Sequence, residues 1–147
     1  MDPVFAGKVN EQVERLQATP WGEIELAVAE KRRGWVRRHA GQLPARPVSP
    51  RQAYELLFFT YMGLRPEDLP VVAESETEIV WRSLNPCPTL EACLRLGLDT
   101  RQVCRQAYEQ STQAFLAEVD PQLRFSRSYT EIRPYAEYCL ERITREG

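Results

Sequence analysis

The stretch Asp120-Pro121-Gln122-Leu123-Arg124-Phe125-Ser126-Arg127-Ser128-Tyr129 decides the fold class. Asp120-Pro121 ends the preceding helix, because proline lacks an amide donor and pushes the residue before it out of helical geometry. Leu123, Phe125, Arg127 and Tyr129 then alternate with Arg124, Ser126 and Ser128, the period of two that gives a strand one apolar face. A lone strand is not stable in water, so this one needs partners. Residues 71–73 and 78–84 are two further β-prone runs, separated by Glu74-Ser75-Glu76-Thr77, and read as a hairpin. Residues 135–143 read two ways. Tyr135, Cys139 and Ile143 fit helical spacing, whereas Cys139, Glu141 and Ile143 alternate with Tyr138, Leu140 and Arg142 as in a strand. The need of the Leu123 strand for partners favours the strand.

Working outward, helices surround these runs. Phe5, Val9, Val13 and Leu16 share one helical face, so residues 3–17 form a first helix. Thr19 is read as an N-cap, with Pro20 at the first position of a second helix reaching Arg38 and stopping near Gly41. Its apolar face is Ile24, Ala27, Val28 and Trp35. Ser49, Pro50 and Gln52 make a capping box for a third helix, which Gly63 ends. A short helix over residues 89–96 stops at Gly97, and Asp99 with Gln102 opens a longer one reaching Glu118. The expected fold is α+β: N-terminal helices, then a small antiparallel sheet with two intervening helices, in a single domain over residues 1–147.

With 19 basic and 21 acidic side chains and a net charge of −2, the chain has no global field drawing it to nucleic acid or an anionic membrane. The longest apolar stretch, residues 56–62, is too short to span a bilayer. The first five residues lack a basic region followed by an apolar run. A cytoplasmic chain with reduced thiols is therefore expected. The one strong charge cluster, Lys31-Arg32-Arg33-Gly34-Trp35-Val36-Arg37-Arg38, reads mainly as a solvated helix face, or one paired with Glu23, Glu25 and Glu30. His39, the only histidine, suits the negative C-terminal end of that helix.

The residues able to carry chemistry lie in the second half. No two of the four cysteines have the short gap of a zinc knuckle. Cys87 sits in Asn85-Pro86-Cys87-Pro88, between a strand and a helix N-terminus, where free amides and the helix dipole lower a thiol pKa. Cys104 shares a helical stripe with Tyr108, Ser111 and Phe115, which is polar for a core and suits either packing or a pocket wall. Cys93 reads as packing, and Cys139 is buried under either reading of its segment. Arg127 shares a strand face with Leu123, Phe125 and Tyr129 and needs a partner, because a lone buried charge is costly. That partner is either an internal carboxylate, Glu131 or Glu141, or the carboxylate of a small molecule. Arg82 is a second such arginine.

Taken in order, Trp81, Asn85-Pro86-Cys87-Pro88, the helix ending at Gly97, Cys104, the Asp120 to Arg127 run and Tyr138-Cys139 resemble the family of L-2-amino-thiazoline-4-carboxylic acid hydrolases. The resemblance covers residues 80–144. It implies a small α+β fold and hydrolytic opening of a carboxylated cyclic amidine-like ring, with Cys87, Cys104 and Cys139 near one another and arginines holding the carboxylate. The expected function is small-molecule binding, with catalysis through Cys87, Cys104 and Cys139 and substrate contacts from Arg82, Asn85, Tyr108, Ser111 and Arg127. A non-catalytic ligand sensor is the alternative, as is a metal or iron–sulfur site on Cys87, Cys93, Cys104 and Cys139. The expected partner is a small molecule bearing a carboxylate, without nucleic acid, membrane or cofactor.

Overall fold

Proline opens three helices, each time in the first turn where its missing amide costs nothing. In the computed structural model, which describes residues 1–146, the chain begins with α1 (Pro3–Ala18) and α2 (Trp21–Arg38). Asp2 caps α1 through the amide of Val4. The expected Thr19 cap does not form: Thr19 closes α1 instead, and Pro20 stands at the N-cap of α2 without a side-chain bond. The Ser49–Gln52 capping box does form, and opens α3 (residues 50–61). This helix is α-wound over Pro50–Tyr54 and π-wound over Glu55–Tyr61. Next come β1 (Val71–Glu74), β2 (Glu78–Ser83) and α4 (Pro88–Leu96), which ends at Gly97 in the left-handed region, φ 67°. The long α5 (residues 100–119) is π-wound over Cys104–Tyr108 between two α-helical segments. Asp99 caps it through the amide of Arg101. Strands β3 (Leu123–Arg127) and β4 (Cys139–Arg145) complete the chain.

The sheet is antiparallel throughout, in the order β1-β2-β4-β3. The ambiguous tail is therefore a strand, inserted between β2 and β3, although it starts at Cys139 rather than Tyr135. The architecture is the expected α+β arrangement, helices first. Register places Trp81 and Arg127 on either side of Glu141, and Ile79 and Phe125 on either side of Ile143. This face packs against α3 and the C-terminal half of α5. The free edge of β3 is covered by Gln113 of α5, which accepts from the Phe125 amide (2.8 Å) and donates to the Leu123 carbonyl (3.0 Å). Such cover blocks pairing with another chain at that edge.

The core has two parts. One joins the sheet, α3, Val36 of α2 and Phe115, Leu116 and Val119 of α5. The other joins α1, α4, Ile24 of α2 and Val103 and Ala107 of α5. Both long helices thus pass from one apolar cluster to the other, and the crossing point is polar. No helix among the described residues is long and apolar enough to cross a membrane.

Candidate functional site

On α2 the crossing falls at Arg32, and on α5 at Tyr108, Ser111 and Thr112. These groups meet. Arg32 is only 9% exposed, and its Nη1 donates to Thr112 Oγ1 at 2.9 Å and Ser111 Oγ at 3.4 Å. Both hydroxyls also donate to the Tyr108 carbonyl, at 2.8 Å from Ser111 and 3.1 Å from Thr112. Ser and Thr hydroxyls on a helix reach back in this way to the carbonyl three or four residues earlier; α5 is also π-wound up to Tyr108, whose φ of −136° departs from helical geometry. Local π-winding is frequent at functional sites, since it redirects side chains and frees backbone groups. The π-wound part of α3 ends at Tyr61, which also faces Arg32.

Arg32 and the two tyrosines line a cleft of about 460 Å³ between α1, α2, α3, α5 and the first turn of α4. Ile24, Ala27, Val28 and Pro88 form its apolar wall. Its polar groups are Gln12, Thr19 and Thr89, and its charged groups are Arg15, Lys31 and Arg32. Gln12 is buried and donates to the Tyr108 hydroxyl, joining α1 to α5 across the cleft. Among the described residues, none that lines it is acidic. Among the described residues, no carboxylate lies within ion-pair distance of Arg15, Lys31 or Arg32, whereas nine other arginines are paired with carboxylates. Burial pushes the Arg32 guanidinium below its usual range; nearby Tyr61 opposes this, while the charge of Arg127 adds to it. Arginine remains charged at neutral pH even so. Among the described residues, the hydrogen-bonded partners of this buried cation are neutral hydroxyls.

The residues singled out in the sequence divide around this cleft. Tyr108 lines it, and the fully buried Ser111 supports Arg32 from behind. Arg127 has an internal partner, one of the two alternatives its strand position allowed. Its Nε and Nη2 both contact Glu141 Oε2, at 2.9 and 2.8 Å, with side chains 13% and 6% exposed. Glu141 also accepts from the Ser83 hydroxyl, which in turn accepts from Trp81 Nε1. The edge of Arg127 that would grip a ligand carboxylate is thus occupied, and its Nη1 is buried without a partner. Arg82 is exposed and lies over the Tyr138 ring at 4.4 Å, away from the cleft. Asn85 belongs to a turn, where its carbonyl accepts from Arg133 at 2.8 Å.

Burial disfavours the thiolate at three of the four cysteines, Cys87, Cys93 and Cys104. Cys87 does cap α4, its sulfur accepting from the Leu90 amide at 3.5 Å. Yet burial outweighs that amide and the nearby Arg133 and raises the thiol pKa, contrary to the lowering expected from the helix N-terminus. Burial likewise pushes Cys93 and Cys104 up to about 12. All four cysteines are free thiols. They form no set that could hold a metal: among the described residues no group of three or more His, Cys, Asp or Glu side chains is so placed. Cys139 Sγ instead accepts from Arg133, through its amide and its Nε, both at 3.4 Å.

Sequence reading missed Arg32, taking it for part of a solvated basic face. The signal was present: Ile24, Val28, Arg32 and Val36 recur every four residues, one stripe of a helix. Arg15, Lys31, Gln12 and Tyr61 carried no such mark, because only the packing of α1 and α3 against α2 and α5 brings them to one cleft. No family model, curated protein or solved structure matches the chain.

Proposed function

We propose that this chain is a small-molecule-binding domain whose ligand presents an acid group to Arg32. The observation that carries the reading is the buried, carboxylate-free guanidinium at a cleft lined by two further cations and no acid. A buried charge without an opposite partner is costly, so a fold that retains one reserves it for a partner from outside. Arg32 spends Nη1 on the two hydroxyls, and a guanidinium has further N–H donors with which it can hold an oxyanion at the cleft it lines. The volume lies within the range of small-molecule pockets, about 300–1,000 Å³. A carboxylate of the kind the sequence resemblance implies suits this charge. Chemistry on a bound substrate is not part of the proposal, since burial raises the Cys87, Cys93 and Cys104 thiols away from the reactive thiolate.

Titration calorimetry with phenyl phosphate, on wild-type protein and on Arg32→Met, tests the reading. Saturable binding to one site, weakened about tenfold or more by the substitution, is expected, since a charge-assisted bidentate contact exceeds 1.4 kcal/mol. Binding of equal strength in both proteins, or no binding to either, overturns it.

A further inference from the structure

The charge of the cleft and the chemistry of its wall narrow the ligand further. We infer that it is an organic dianion: an apolar or aromatic body carrying either one phosphate monoester or two carboxylates. This rests on the anion-binding reading above.

Two observations carry it. The first is the count of positive groups. Arg15 and Lys31 join Arg32 in the lining, and none of the three has a carboxylate within ion-pair distance among the described residues. The first turn of α4 adds Pro88 and Thr89 to the same wall. Arg15 and Lys31 are exposed at the rim, so a monoanion seated on Arg32 engages neither of them. A dianion satisfies the buried guanidinium and at least one rim cation together.

The second observation is the wall. Ile24, Ala27, Val28 and Pro88 offer nothing to an inorganic anion, and with the rings of Tyr61 and Tyr108 they form an apolar surface beside the cations. Apolar area removed from water contributes about 25 cal/mol per Å², so a ligand with a ring or branched body gains from that wall what a bare phosphate cannot. The cavity of about 460 Å³ has room for such a body as well as its acid groups.

The test is a calorimetric series at pH about 8, where a phosphate monoester is doubly charged. Phenyl phosphate and phenylsuccinate are the two dianions, benzoate is the monoanion with the same ring, and inorganic phosphate is the dianion without a body. The tighter of the two dianions identifies which acid chemistry the cleft prefers. Both should bind about tenfold or more tightly than benzoate and inorganic phosphate. Lys31→Met and Arg15→Met should erode the preference for dianions over benzoate. Benzoate binding as tightly as the dianions overturns the double charge, and inorganic phosphate matching phenyl phosphate overturns the apolar body. Either result leaves binding at Arg32 standing. Affinity untouched by Arg32→Met refutes the underlying reading instead.

Discussion

Replacing Arg32 with methionine should leave the fold as stable as before or more so, even though the side chain is buried. The guanidinium makes two hydrogen bonds to hydroxyls, one of 2.9 Å and one long contact of 3.4 Å. Hydrogen bonds to charged groups contribute about 1.5–3 kcal/mol, and the 3.4 Å contact falls at or below the weak end of that range, so the two together supply about 3 kcal/mol. Against this stands the desolvation of a guanidinium without a carboxylate, still several kcal/mol after relaxation. Methionine keeps most of the apolar stem in place. It also strands no partner, because Ser111 and Thr112 retain their bonds to the Tyr108 carbonyl. The net expectation is a gain of about 0–2 kcal/mol, with about 2–4 °C in Tm for each kcal/mol in a chain of this size. Urea unfolding followed by tryptophan fluorescence, at unchanged m-value, measures it directly. A loss of more than about 2 kcal/mol would show that Arg32 is held for the fold, and the functional reading would lose its basis.

The other charged groups of the core should respond differently. Arg127→Met should cost about 3–5 kcal/mol by leaving Glu141 buried and unpaired, and pairing it with Glu141→Leu should recover most of the loss. Equal losses in the single and double variants would refute a coupled pair. Asp120 meets burial, which opposes its charge, but the amides of Gln122 and Val48 and the Arg145 guanidinium together hold it at about 2. Its folded pKa is depressed, so its contribution is complete above the unfolded value near 4 and lost as pH falls towards about 2. Asp120→Asn should flatten the stability–pH curve in that window, and a curve of unchanged slope would contradict this. Cys93 and Cys104, raised to about 12, should react with a thiol reagent at pH about 8 over a hundredfold more slowly in the native than in the unfolded protein. Comparable rates would mean that burial does not protect them.

Much of the fold was legible because it is written in local patterns. The alternation from Leu123 to Arg127 forms a strand, the Ser49–Gln52 box opens a helix, and Gly97 closes one. The tail was ambiguous because Cys139 and Ile143 satisfy both periods, and pairing with β2 and β3 settles it. The π-wound turns ending at Tyr61 and Tyr108 were invisible, since no residue type marks them. The site was half legible. Tyr108 and Ser111 stood out as polar groups on an apolar stripe of α5, yet the same test applied to α2 picks out Arg32, hidden among neighbouring solvated arginines. Helix N-terminus reasoning placed Cys87 just ahead of the helix cap, whereas Cys87 is itself the cap, and it missed the electrostatics, because the depth of packing around a sulfur is a property of the assembled core.

The most direct test of the account is a crystal structure of the protein soaked with bromophenyl phosphate, whose bromine marks its position by anomalous scattering. The account predicts the phosphate oxygens within hydrogen-bond distance of Arg32 and the bromine against the wall formed by Ile24, Val28 and Pro88. A cleft without the ligand, with bromine signal confined to other surfaces, would contradict it.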